Sequence, residues 1–158
     1  MFTRLFSEPS YRHFPHAGVA LQAYLKHSSH TLETLLEWGK KRAAPFGIRL
    51  VKGAYWDSEV IRYQQRGWPI PVYLKKVDTD ANYEHLAQRI LEYRSFIRPA
   101  FGSHNIRTLA FVQALGESLH LPRETFEFQM LYGMAEPLRH AVVDQGFRLR
   151  VYTPIGEL

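Results

Sequence analysis

The chain has 158 residues, of which 46% are hydrophobic and 22% charged, a balance that suits one globular domain with a real core. Its 20 Lys and Arg against 15 Asp and Glu give a net charge of +5, which permits an anionic partner, but the basic residues are scattered and demand none. The absence of cysteine excludes disulfides, thiolate metal sites and cysteine nucleophiles, and no apolar run is long enough for a signal sequence or a bilayer span.

A soluble, cytoplasmic protein is therefore the expectation. Met1–Gly18 carries Pro9, Pro15 and several aromatics without periodicity, and reads as a lead-in loop before a domain over 19–158. His13 and His16, and again His27 and His30, are spaced i, i+3. No carboxylate or cysteine completes a zinc-like spacing around them, so ordinary loop histidines are the better reading and no metal site is expected.

Val19–Tyr24 reads as a short strand. Thr31–Ala44 reads as a helix with Leu32, Leu35 and Leu36 on one face, cations in its last turn, and Pro45 as its stop. The central stretch is GIRLVKGAYWDSE, Gly47–Glu59. It starts as a buried strand, turns polar at Lys52, pauses at Gly53 and delivers Tyr55 and Trp56; Asp57-Ser58 then reads as the cap of a helix to about Arg66.

Trp68–Val77 is a proline-rich connection with a strand-like VYLKKV, and Asp80 reads as the next helix cap. Tyr83, Leu86, Ala87, Ile90 and Leu91 form that helix's apolar stripe. Pro99–His104 is a strand ending in histidine, and Asn105 caps a helix with Ile106, Leu109 and Ala110 inward. Thr125–Leu131 is a strand, a helix follows the Gly133-Met134 turn, and Arg148–Thr153 is the last strand, closed by Pro154 and Gly156.

Strand and helix alternate throughout, which means a parallel sheet with right-handed crossovers. The spacing fits the units of a (β/α)8 barrel and also a doubly wound sheet, although no GxGxxG turn follows the first strand. Polar and aromatic groups gather near the strand ends: Gln22 and Tyr24; Lys52, Tyr55 and Trp56; His104 and Asn105; Gln129; and Tyr152. No Ser-His-Asp set, GxSxG or P-loop is present. Amides, cations and aromatics without a nucleophile–base pair point to a cofactor cradle. Amides can hydrogen-bond a flavin ring edge, cations offset phosphate or the charge of a reduced flavin, and Trp and Tyr stack on a ring.

The segments IRLVKGAYWDSE, QAYLK, VDTDANYEHLA, FGSHN, FEFQMLYGM and VYTPIG resemble, in that order over Gly18–Gly156, the proline dehydrogenase domain of the bifunctional proline utilization A flavoenzymes. The resemblance implies a distorted (β/α)8 barrel with FAD at the carboxyl ends of its strands. It implies oxidation of L-proline to 1-pyrroline-5-carboxylate by hydride transfer to the flavin N5, with a membrane quinone as electron acceptor.

By the same resemblance, Gln22 and Arg49 meet the flavin ring, and Lys52, Gly53, Ala54, Tyr55 and Trp56 line the isoalloxazine and the cofactor's tail. His104 and Asn105 form a histidine-centred FAD contact. Gln129 and Leu131 lie on the next strand, Leu131 against proline, and Tyr152 packs on the proline ring. Arg49 and Tyr152 are thus the expected catalytic residues. Leu74 stands where some members carry a hydroxyl residue.

Family members continue past VYTPIG into a helix with a carboxylate-binding arginine pair, and have further strands upstream. The expected architecture is therefore a partial (β/α)8 barrel, about strands 4–8 without the last helix, inactive by itself. The alternative is a non-catalytic half-barrel that assembles with a complementary chain or with itself. A nucleic-acid partner is not expected, because no basic face or RNP-like aromatic platform is present. Peripheral contact at the inner membrane would suit the positive net charge.

Overall fold

The computed structural model describes residues 1–42, 44–153 and 155–156. Strands β1 (Gly18–Gln22), β2 (Phe46–Val51), β3 (Ile97–Gly102), β4 (Glu127–Leu131) and β5 (Arg148–Tyr152) form one parallel sheet in the order β1-β2-β3-β4-β5. The helices are α1 (Phe2–Leu5), α2 (Ser28–Lys41), α3 (Trp56–Gln65), α4 (Lys76–Glu92), α5 (Ile106–Ser118) and α6 (Glu136–Asp144).

Alternate residues of each strand point to opposite faces. One face carries Leu21, Ile48, Leu50, Phe101, Phe128 and Met130, all buried. These join Leu32, Leu35 and Leu36 of α2, Leu86 and Ile90 of α4, Leu109 and Val112 of α5 and Val142 of α6 in a single apolar cluster. Phe101, Phe126 and Phe128 lock its centre through edge-on contacts at 5.5 Å between ring centroids.

Sequential strand order, with these four helices against the same face, is the arrangement of a barrel segment. A doubly wound sheet reverses its order at a switch point and is covered on both sides. The structure thus decides between the two architectures that alternation alone left open.

The opposite, inner face carries Gly18, Ala20, Gly47, Arg49, Arg98, Ala100, Glu127, Gln129, Arg148, Arg150 and Tyr152. Among the residues around a hollow of about 630 Å³ are most of these, from the strands' amino ends up to Arg49 and Gln129. Strand register sets them in rows: Ala20 beside Arg49 beside Ala100 beside Glu127 beside Arg148, then Gly102 beside Gln129 beside Arg150, then Leu131 beside Tyr152.

Several local expectations are corrected. The start of the lead-in folds into the turn of α1, whose Phe2 and the following Phe6 pack on the main cluster. Helix α2 ends at Lys41, because Arg42 is extended ahead of Pro45. Helix α3 begins at Trp56 with Tyr55 as N-cap, so Asp57 and Ser58 lie in the first turn, where Asp57 and Glu59 favour the helix dipole.

VYLKKV is not a strand. Val72 makes one antiparallel bridge with Leu25, and Lys76 and Val77 already belong to α4. Asp80 consequently sits inside α4 rather than capping it. In α5 the cap is Asn105 as expected, accepting from the Thr108 N–H at 3.1 Å. Ile106 and Ala110 face solvent, while Thr108, Leu109, Val112 and Gly116 face inward. Pro154, read as closing the last strand, lies outside the described residues.

Candidate functional site

The carboxyl ends of the strands carry two groups of side chains. The first lies over β2–β5. Arg49 leaves β2 and passes over Gly102 of β3, a position that Val51 rather than Arg49 crowds. A Cβ there would lie 3.6 Å from Arg49 Nε and 2.9 Å from Val51 Cγ1. The guanidinium carbon ends 4.3 Å from the centroid of the Tyr152 ring on β5, a cation–π stack. Arg49 Nε is buried and has no hydrogen-bond partner among the described residues. No carboxylate pairs with this guanidinium among the described residues either.

Tyr152 Oη donates to Gln129 Oε1 at 2.7 Å. Gln129 Nε2 donates to Glu127 Oε1, and Arg150 grips both oxygens of Glu127 through Nε at 2.7 Å and Nη2 at 2.9 Å. Burial pushes the Glu127 carboxyl up, but hydrogen bonds from Arg150 and Gln129 more than offset it and hold the group below the usual carboxylate range.

Leu131 stands half-exposed at the tip of β4, in register with Tyr152. Its N–H donates to His104 Nε2 at 2.8 Å. Nε2 must therefore accept, which puts the proton of the neutral imidazole on Nδ1, a donor without a partner among the described residues.

The second group lies at the ends of β1 and β2. Backbone bonds from Ala23 N to Val51 O, Tyr24 N to Lys52 O and Tyr73 N to Tyr24 O tie the three loops together. Gly53 has φ +139°, and a Cβ on it would meet the buried Tyr24 ring at 2.5 Å, so both backbone and space require glycine. Tyr24, Lys52, Gly53, Trp56, Tyr73, Leu74, Lys76 and Thr79 enclose a cleft of about 400 Å³.

Trp56 Nε1 donates to Tyr73 O at 2.8 Å, which fixes the indole at the wall. Lys52 Nζ and Lys76 Nζ each lie 2.5 Å from an oxygen of Asp80. Burial first, then the Glu59 charge, raises the Tyr24 phenol, which stays neutral.

The structure therefore brings Arg49, Gln129, Leu131, Tyr152 and His104 into one group, and Lys52, Gly53 and Trp56 into the other. Gln22 ends β1 beside Val51, half-buried. Ala54 and Tyr55 are exposed on the turn into α3. Asn105 spends its side-chain oxygen on the α5 cap. Glu127, Arg150, Asp80 and Tyr73 were not foreseen as site residues. The i, i+2 pairs Glu127/Gln129 and Arg150/Tyr152 were the available signal, since such pairs share a face.

A cradle with an arginine stacked on a tyrosine and an aromatic cleft at a barrel rim restricts the kinship, and comparison with known proteins settles it. The proline dehydrogenase family model matches residues 1–158. The chain belongs to the proline dehydrogenase family.

Among curated relatives, the bifunctional protein PutA of Klebsiella aerogenes is 36% identical over 163 residues, covering 99% of this chain and 12% of that protein. Proline dehydrogenase 2 of Bacillus subtilis strain 168 is 31% identical over 144 residues, covering 91% of this chain and 42% of that one. Among solved structures, the proline utilization A protein of Bdellovibrio bacteriovorus inactivated by N-propargylglycine superposes with a TM-score of 0.97 at 53% identity, covering 99% of this chain and 16% of that one. The Bradyrhizobium japonicum protein, as its D779W mutant, gives 0.90 at 35% identity. The chain thus spans about an eighth of the bifunctional relatives and two fifths of the shorter one. In both of these solved structures the matched segment has the same fold as this chain.

Proposed function

We propose that this segment supplies the flavin-facing wall and part of the substrate wall of an FAD-dependent enzyme that oxidises L-proline to 1-pyrroline-5-carboxylate. The observation that carries the reading is Arg49: a guanidinium stacked on Tyr152 at 4.3 Å, its Nε buried and without a partner among the described residues. A buried, unpaired donor is costly unless something fills its hydrogen bond.

The residues present fit a flavin. Arg49 offers charge and a donor, Gln129 and Gln22 offer amides, and Trp56 and Tyr24 help wall a cleft of about 400 Å³. Lys52 and Lys76 stand at that cleft where a phosphate group would find cations. When bound, the flavin supplies the two-electron acceptor for a hydride leaving the ring carbon beside the proline nitrogen, whose proton leaves separately.

The chain's own residues do the rest. Arg49 offsets the negative charge that two electrons bring to the site. Tyr152 and Leu131, neighbours across β4 and β5, present a face and an apolar tip to a small ring and exclude water from it. Trp56, fixed by its bond to Tyr73 O, keeps the cleft open. His104 holds the end of β4 through the Leu131 N–H and keeps Nδ1–H for a ligand. Gly53 allows the loop to pass over Tyr24 with its peptide bare.

The test uses the protein that carries this segment, loaded with FAD and freed of excess by gel filtration. Retained flavin absorbance that bleaches on L-proline and recovers with a quinone is the expected result. Retained flavin that proline leaves untouched would overturn the assignment of substrate, and failure to retain flavin would overturn the cradle.

The edges favour a second reading of how the site is completed. Strands β1 and β5 each pair on one side only among the described residues. Such edges invite further strands, so we infer that the working unit closes them with strands from a complementary segment or from a second copy. Sedimentation over a concentration range checks it: a segment that stays a compact monomer with protected edge amides would rule the second copy out.

A further inference from the structure

We propose that Glu127 is a positioning residue for the substrate wall, acting through Gln129 and Tyr152 on Arg49. The inference rests on the proline-oxidation reading and deepens it by assigning the orientation of its side chains to a residue that lies below them.

A carboxylate accepts hydrogen bonds and cannot donate. Glu127, held ionised by the Arg150 fork, therefore faces the NH2 end of Gln129 and forces its carbonyl end toward β5. Gln129 is 6% exposed, so bulk solvent offers its amide little alternative to these two partners. The carbonyl in turn requires the Tyr152 hydroxyl to donate, at 2.7 Å. With its only proton committed to Gln129, the phenol oxygen has only acceptor capacity left for a ligand. Its ring plane is fixed as the platform on which Arg49 stacks. One charge thus sets an amide orientation, a hydroxyl direction and a cation's seat in sequence.

The register brings these partners within reach on the diagonal. Glu127 and Gln129 are alternate residues of β4, Arg150 and Tyr152 alternate residues of β5, and Gln129 is paired directly with Arg150. Each polar group therefore finds its partner one strand over, and no side chain has to bend back on its own strand except the Gln129 amide reaching Glu127.

Replacing the charge by an amide removes the rule. In Glu127→Gln the new side chain can accept or donate, so Gln129 can turn over. The Tyr152 hydroxyl then meets an NH2 group, must accept, and its proton is free to point elsewhere.

The experiment is a double-mutant cycle in the flavin-loaded protein that carries this segment. Its readouts are kcat/KM for L-proline and the calorimetric affinity for a five-membered ring acid with oxygen in place of nitrogen, which cannot lose hydride in the same way. Glu127→Gln is expected to lower both by roughly ten- to a hundred-fold, the range that misplaced groups cost. In a Tyr152→Phe background, where there is no hydroxyl to direct, the further loss should shrink to under about three-fold.

Equal losses in the two backgrounds, or no loss in either, overturn the proposal. Should Glu127→Gln fail to fold, Glu127→Asp keeps the charge and draws the acceptor back by one methylene; a smaller loss with the same dependence on background is expected, and independence from background again overturns it. A ring acid that binds while proline is not oxidised would sink the oxidation reading and leave the affinity cycle to judge Glu127. An unaltered protein that binds no ring acid would sink both.

Discussion

The two faces of the sheet are made from alternate residues of the same five strands, yet they follow different rules. On the outer face, Ile48, Leu50, Phe101, Phe128 and Met130 are at most 1% exposed, and each touches many apolar neighbours in one cluster. On the inner face, Arg49, Glu127, Gln129, Arg150 and Tyr152 each have one or two specific partners and nothing interchangeable. Area and volume hold the first face together; direction and charge hold the second. Loss of an outer residue should therefore cost stability and loss of an inner one should cost chemistry.

The largest effect expected is at the centre of the outer face. Phe101→Ala removes a fully buried ring that meets Phe126 edge-on, and should cost about 3–5 kcal/mol in urea unfolding. Any flavin affinity that survives in the folded fraction should be unchanged. Next is Gly53→Ala, at the rim. Its φ of +139° is strained for any L side chain, and the new methyl would meet Tyr24 at 2.5 Å. A loss of about 1–3 kcal/mol is expected from the backbone alone. Here stability and flavin retention should fall together, because the proposed cradle is built on this same loop.

Arg49→Met sharpens the contrast from the inner side. The thioether chain fills similar space, and a buried donor without a partner among the described residues disappears. Unfolding should shift by less than about 1 kcal/mol, while proline oxidation should fall by about 10²–10³-fold, the usual cost of losing a donor aimed at developing charge. An equal loss of stability would show that Arg49 belongs with the packing residues.

The same contrast explains what could be seen in the sequence. The outer face was legible because burial repeats every second residue in a strand and every third or fourth in a helix, as Leu86, Ala87, Ile90 and Leu91 show. The cap at Asn105 was legible because one side chain and one N–H three residues on suffice. Residues of the inner face could be named, since Gln129 and Tyr152 stand at strand ends. Their partners could not. Gln129 meets Tyr152 only because β4 and β5 pair Leu131 with Tyr152, a register that no local pattern states. Arg49 reaches Tyr152 because β2, β3, β4 and β5 lie side by side in that order, so that one side chain spans the two strands between them.

Asp80 is the instructive miss. An acidic residue just before an apolar stripe has the look of a cap, whether the helix starts there or one turn earlier. The strand-like VYLKKV hid the earlier start at Lys76. What decided the matter was tertiary: Lys52 comes in from the end of β2, and with Lys76 it needs a carboxylate at that height.

That double pairing gives the smallest effect and the one with a definite pH signature. Burial pushes the Asp80 carboxyl up, but hydrogen bonds from Lys52 and Lys76 outweigh it, and its folded pKa lies below the ordinary value. A depressed folded pKa contributes stability that is present above the unfolded value, about 3.9, and is lost as pH falls through the folded one. Asp80→Asn should therefore lower Tm at neutral pH, by an amount corresponding to about 1 kcal/mol or less, since the Lys76 side chain is 72% exposed and screened. The two melting curves should converge as the pH drops below about 4. A gap that persists once the carboxyl is protonated in both states would mean that Asp80 acts through packing and hydrogen bonding alone, which would move it, and the rim it anchors, to the packing side of the comparison.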